Sequence, residues 1–178
     1  MSGFNQPSMQ ADVVYELVQL FDRHHLEVIV DGGWAVDALL LGKETRPHAD
    51  LDIAMPHRCV PEVRRLLESL GYRDVPRDDT RECNFVIGDD QGHQVDVHTY
   101  TYDEQGNLLF GLPYPLDSLT GHGTILGYPV RCITQEWLVK FHTGYPLDDN
   151  DYHDVLALCE RFSIELPREH QKFANHGK

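Results

Sequence analysis

The chain has 178 residues and sets 15 Lys+Arg against 29 Asp+Glu, a formal net charge of −14 with histidine neutral and a pI near 5.0. No basic run interrupts that acidity, which argues against nucleic acid as a partner, because a phosphate backbone is gripped by clustered Lys and Arg that release counterions. No apolar stretch approaches the roughly 20 residues that span a bilayer, residues 1–10 are polar with no signal-peptide core, and the 25% charged and 41% hydrophobic content is ordinary for one globular domain, so a cytoplasmic protein with no membrane partner is expected.

Val13, Val14, Leu17, Leu20 and Phe21 fall at helical spacing and predict a first helix over residues 10–24. The β-branched run Val28-Ile29-Val30 reads as a buried strand that ends in the tight turn Asp31-Gly32-Gly33, followed by a helix over residues 34–41 that Gly42 stops. Residues 50–55 alternate as a strand does and Pro56 ends them; Val60, Val63, Leu66, Leu67 and Leu70 then form an amphipathic helix stopped by Gly71. Residues 84–87 and 93–100 suit an antiparallel hairpin. Residues 103–127, rich in Gly, Pro and Tyr, are the longest loop-like stretch. A strand over 130–133, Thr134 as a helix cap, a helix over 136–143 and a final helix over 149–162 complete the pattern. The whole predicts an α/β domain, of the α+β kind, with a small mixed sheet flanked by helices and a short C-terminal helical region, divided as 1–120 for the catalytic domain and 121–178 for the strand and helical tail. Cys59, Cys83, Cys132 and Cys159 lie far apart with no C-x-x-C pair, so neither a zinc ribbon nor a disulfide framework is indicated.

The chemistry concentrates in residues 32–55. In a strand, residues i and i+2 share a face about 6.6 Å apart, so Asp50 and Asp52 project together while Leu51 and Ile53 face the core. Such a pair of carboxylates suits hard divalent cations such as magnesium, although a D-x-D taken alone also fits a solvated strand face. The Gly32-Gly33 pair at the mouth of a helix fits a phosphate cradle, and equally a plain strand-to-helix turn. Between them, Arg46 can clamp a polyphosphate and His48 can donate a hydrogen bond to it. Downstream, Gln94, Asp96 and His98 share one strand face between valines; if that strand lies beside the first, Asp96 joins the same metal site and accepts the proton of an attacking hydroxyl.

Gly32-Gly33-Trp34, Arg46-Pro47-His48-Ala49-Asp50-Leu51-Asp52-Ile53 and Val95-Asp96-Val97-His98 together resemble the nucleotidyltransferase superfamily that shares its catalytic fold with DNA polymerase beta. Within it the chain is most similar to the small antibiotic nucleotidyltransferases, the lincosamide enzymes above all, through the tail Phe141-His142-Thr143-Gly144-Tyr145 and the acidic helix start after it; the aminoglycoside 2″-enzymes share the first motif and match the tail less well. The resemblance implies ATP or another nucleoside triphosphate against Gly32, Gly33, Arg46 and His48. It also implies magnesium, taken as a pair of ions, on Asp50, Asp52 and Asp96, with Asp96 as general base. Tyr100, Tyr102, Phe110, Tyr114, Tyr128, His142 and Tyr145 are candidate acceptor contacts, with core packing or helix-end structure as the alternative. The acids Asp148, Asp149, Asp151 and Asp154 suit helix capping at least as well as ligand binding.

The expected activity is transfer of a nucleoside monophosphate to a hydroxyl of a small cationic antibiotic, a lincosamide first and an aminoglycoside second, with a homodimer left open. A nucleotidyltransferase acting on a protein side chain or RNA end, a D-x-D glycosyltransferase and a non-catalytic nucleotide-binding module remain as rivals. The intact trio of acids argues against the last of these.

Overall fold

The computed structural model describes residues 9–176; the polar residues 1–8 lie outside it. Helix α1 (Ala11–Arg23) buries Val14, Leu17 and Phe21 of the predicted stripe together with Ala11 and Val18, while Val13 and Leu20 are half-buried. Strand β1 (Ile29–Val30) runs into α2 (Gly32–Leu40), which begins two residues before the predicted start, so that both glycines sit inside its first turn. Then come β2 (Leu51–Pro56), a short 3-10 turn and α3 (Val60–Ser69), which buries Val63, Leu66 and Leu67. A two-residue strand β3 (Arg73–Asp74) precedes the hairpin of β4 (Asn84–Gly88) and β5 (Gln94–Tyr102).

The stretch read from sequence as a loop, residues 103–127, holds β6 (Leu108–Gly111), a 3-10 turn and β7 (Gly121–Ile125). Strand β8 (Tyr128–Cys132) follows, then α4 (Gln135–Phe141), α5 (Asp149–Phe162) and α6 (Arg168–His176). Thr134 stands at the cap position of α4, but its side chain makes no capping bond. Asp148 caps α5 reciprocally with Asp151: each carboxylate accepts the other's backbone N–H at 2.9 Å.

All eight strands belong to one mixed sheet ordered β3-β4-β5-β2-β1-β8-β7, with β6 paired to the far half of β5. Strands β7 and β8 continue this sheet through the parallel pair Val30↔Cys132. Ile29, Ile53, Val95 and Val97 are fully buried at its centre, and α2 packs against β2 and β7 on one side and α4 and α5 on the other. Among the described residues, no helix is long and apolar enough to cross a membrane.

Candidate active site

Three strand ends, those of β1, β2 and β5, meet at one end of the central strands of the sheet. Strand β2 pairs in parallel with β5, which puts Asp52 opposite Asp96, and β1 pairs with β2 antiparallel so that it ends beside the start of β2. Asp31 therefore follows β1 next to Asp52 and donates its backbone N–H to the Asp52 carbonyl at 2.9 Å. Asp50 precedes β2 by one residue. The valines at 95 and 97 are buried while Asp96 and His98 stay half-buried, so the alternation seen in the sequence delivers both to the site face.

Crowding of acids shows in their protonation. Burial first, then the Asp50 and Asp31 carboxylates, push Asp52 well above the usual carboxylate range; burial and Asp96 raise Asp50. Burial alone would lower the pKa of His98, but facing Asp96, with Asp52 and Asp31 behind it, raises it. Ligand atoms of Asp52, Asp96 and His98 lie within 4.8 Å of one another, with Asp96 Oδ1 3.3 Å from His98 Nε2. Two carboxylates this close fit a divalent cation such as magnesium, which relieves like-charge repulsion and takes oxygen ligands; the third member of the group is the His98 imidazole, and Asp50, expected from sequence, is not in it.

Gly32 takes a left-handed φ of +57°, and its amide donates to Asp31 Oδ1 at 2.7 Å. The next two amides, of Gly33 and Trp34, have no partner among the described residues, which leaves two N–H groups of a helix start open beside Asp52, the arrangement that favours anions. A Cβ on Gly33 would stand 2.6 Å from Arg46 Nη2 and 2.7 Å from the His48 ring, so the second glycine is required by those two side chains.

Arg46 and His48 are held more tightly than their sequence positions indicate. The Arg46 guanidinium forms a two-pronged pair with buried Asp154 of α5, Nε to Oδ1 at 2.9 Å and Nη2 to Oδ2 at 2.6 Å. The His48 Nε2 lies 2.6 Å from Oδ2 of fully buried Asp37, whose other oxygen accepts from the Thr45 hydroxyl at 2.6 Å. The His48 ring packs on Trp34, centroids 4.9 Å apart. Both side chains still border the start of α2, and their buried partners fix where they stand.

The aromatic and tail candidates make no hydrogen bond to Asp50, Asp52 or Asp96 among the described residues. Tyr100 is buried in the core, and the Tyr102 hydroxyl donates to the Tyr114 carbonyl; both line a cavity at the other end of β5, with His57, Leu116 and Arg131. His142 donates from Nδ1 to the Leu138 carbonyl at 2.7 Å, and Tyr145 donates to Asp151 at 2.9 Å. Tyr114, read from sequence only as one aromatic among several acceptor candidates, is tied to the acids: its hydroxyl donates to Asp31 Oδ2 at 2.6 Å and accepts from His98 Nδ1 at 3.2 Å. Asp31 and Asp37 are not among the residues that the sequence singles out, and Asp154 is named there only within the acidic start of the last helix, with capping as the alternative. Only Asp31 carried a signal, as an acid at a strand end before two glycines.

A lincosamide resistance protein of Staphylococcus haemolyticus is 26% identical over 150 residues, covering 82% of this chain and 91% of that one. A 2″-aminoglycoside nucleotidyltransferase of Klebsiella pneumoniae is 27% identical over 131 residues, covering 73% and 71%. The crystal structure of a lincosamide antibiotic adenylyltransferase with lincomycin bound superposes with a TM-score of 0.73 at 23% identity over 89% of this chain and 99% of that one, which shows the shared nucleotidyltransferase fold. The aminoglycoside-2″-adenylyltransferase family matches residues 13–158. On that match the chain belongs to the aminoglycoside-2″-adenylyltransferase family of antibiotic nucleotidyltransferases.

Proposed function

We propose that the chain transfers AMP from ATP to a hydroxyl of a lincosamide, with Asp50, Asp52 and Asp96 as the catalytic acids. The observation that carries this reading is the register Asp52↔Asp96, which sets the Asp96 carboxylate, 3.3 Å from His98 Nε2, beside a charge-crowded pair. Asp50, Asp52 and Asp96 would hold magnesium, as a pair of ions, which when bound neutralises charge on the triphosphate and on the leaving pyrophosphate. The open amides of Gly33 and Trp34 receive phosphate oxygens, Gly32 lets the backbone approach, and Arg46 and His48 border the same helix start. Asp96 takes the proton of the acceptor hydroxyl as its oxygen forms a bond to the α-phosphorus and the bond from that phosphorus to pyrophosphate breaks. Holding the reactants in line supplies much of the rate, since the protein forms no covalent bond itself.

The lincosamide relative spans more of this chain than the aminoglycoside one does, and this favours the first acceptor. The family match favours an aminoglycoside as the second reading. A panel of both drug classes incubated with ATP, magnesium and the protein, read by mass spectrometry, separates them: the lincosamides gain one AMP unit. Modification of aminoglycosides alone reverses the assignment.

A further inference from the structure

The cavity at the far end of β5 has a volume of about 350 Å³, and none of Asp50, Asp52 and Asp96 lines it. Tyr100 stands in its wall, on the strand face of Asp96 and about 13 Å further along β5. This tyrosine is only 8% exposed, yet its hydroxyl makes no hydrogen bond among the described residues. A phenol so deeply buried is ordinarily paired, because an unpaired polar group forfeits its bonds to water. The neighbouring hydroxyls are already committed, Tyr102 to the Tyr114 carbonyl and Thr120 to the Asp117 carbonyl. Burial pushes the Tyr100 hydroxyl up to about 12, so at neutral pH it is an uncharged O–H that can donate.

Two guanidiniums and one carboxylate share that wall. Arg58 is paired with Glu27, so these two charges offset each other. Arg131 pairs with no carboxylate among the described residues, and its one side-chain hydrogen bond there is a long contact of 3.5 Å to the Leu119 carbonyl. The His57 ring uses Nδ1 on the Thr99 hydroxyl at 2.9 Å. In a chain of net charge −14, the cavity thus holds a guanidinium without a counter-charge close to an unpaired O–H. The rest of its surface is carbon: Pro56, the Tyr102 ring, Leu119 and Leu116, the last of these otherwise exposed.

An inorganic anion placed there would leave the carbon wall in water. A phosphate monoester would bring a second negative charge toward Glu27 with no cation left to meet it, which is costly. We propose that this cavity is a binding site for a small organic monocarboxylate, its carboxylate held between Arg131 and the Tyr100 hydroxyl and its aliphatic or aromatic body laid against Leu116, Leu119 and the Tyr102 ring. The site lies outside the transfer chemistry and fills without ATP or acceptor.

The probe is hydrocinnamate, titrated into the full chain without ATP or acceptor and followed by amide shifts in two-dimensional NMR. Saturable shifts are expected at Thr101, Leu119 and Arg131. Hydrocinnamyl alcohol keeps the body and lacks the charge, and phenethylphosphonate carries two charges at pH 8; each binds roughly tenfold more weakly than the carboxylate. Arg131→Gln and Tyr100→Phe each raise the Kd for hydrocinnamate roughly tenfold, as loss of a hydrogen bond to a charged group entails. Because the Tyr100 hydroxyl is unpaired, Tyr100→Phe melts with the wild type, and Arg131→Gln serves alone should it fail to fold. An alcohol or phosphonate that binds as tightly as the carboxylate, or a Kd unchanged in the folded variants, overturns the proposal. Shifts confined to Gly33 and Trp34, which would put the anion at the start of α2, or no saturable shift at all, overturn it equally.

Discussion

A side chain on Gly32 would collide with Asp52: a Cβ built there stands 2.9 Å from the Asp52 Cγ and closer still to Oδ2. The first glycine thus makes room for the Asp52 carboxylate before it serves any phosphate. Gly32→Ala combines this overlap with a left-handed backbone that costs an alanine about 1–2 kcal/mol. The expected result is a lower melting temperature together with a kcat reduced roughly 10²-fold or more, as displacement of a catalytic carboxylate entails; calorimetry and the transfer assay check the two effects separately.

Arg46 and Asp154 join the loop before β2 to α5 across 108 positions, with side chains 18% and 1% exposed. Truncating one member leaves the other charge poorly hydrated, so Asp154→Ala should cost about 3 kcal/mol in urea unfolding. Arg46→Lys keeps the charge and loses the fork, so it raises the KM for ATP while retaining more stability than Arg46→Ala does. An Asp154→Ala protein as stable as the wild type would show that the pair does not organise the fold.

Burial and neighbouring carboxylates raise Asp52 well above an ordinary aspartate. In the absence of metal its ionised form therefore weighs against the folded state. That stability falls as pH climbs from the ordinary carboxylate range through the raised value, because the unfolded chain gives up the proton first. Asp52→Asn should melt higher than the wild type at neutral pH without magnesium, show a smaller magnesium-induced rise, and lose transfer roughly 10²-fold or more. Thermal melts with and without magnesium make the comparison.

The cysteines divide by burial. Cys132 has its thiol pushed up to about 12 by burial and by Asp31, burial raises Cys159, and Cys59 is also buried, whereas Cys83 is half-buried. Since the thiolate is the reactive form, a raised value leaves little of it at pH 8. Brief iodoacetamide treatment of the native protein should give one adduct, mapped to Cys83; rapid modification of Cys132 would contradict the buried packing against β1.

Period and spacing were sufficient for α1, α3, β2 and the β4–β5 hairpin, because each carries an apolar face of its own. They failed for β6 and β7. Leu108, Leu109 and Phe110 do not alternate with polar residues, and the sequence Gly121-His122-Gly123-Thr124-Ile125 offers almost no apolar signal. Both are strands because neighbours pair with them, β5 with β6 and β8 with β7, and this information is not local. The acids of the site were visible for a related reason. Asp50 and Asp52 mark their shared face by an i, i+2 spacing, whereas Tyr114 meets Asp31 from 83 positions away and Asp154 meets Arg46 from 108, separations that no motif encodes.

The central claim, hydroxyl-directed AMP transfer at the Asp50, Asp52 and Asp96 site, is tested most directly by pyrophosphate release from ATP and magnesium, measured with and without lincomycin for the wild type and Asp96→Asn. The account predicts release only when lincomycin is present, in step with its adenylylation, and a loss of roughly 10²-fold or more in Asp96→Asn. Release that is indifferent to lincomycin, or an Asp96→Asn protein within a few fold of the wild type, would contradict it.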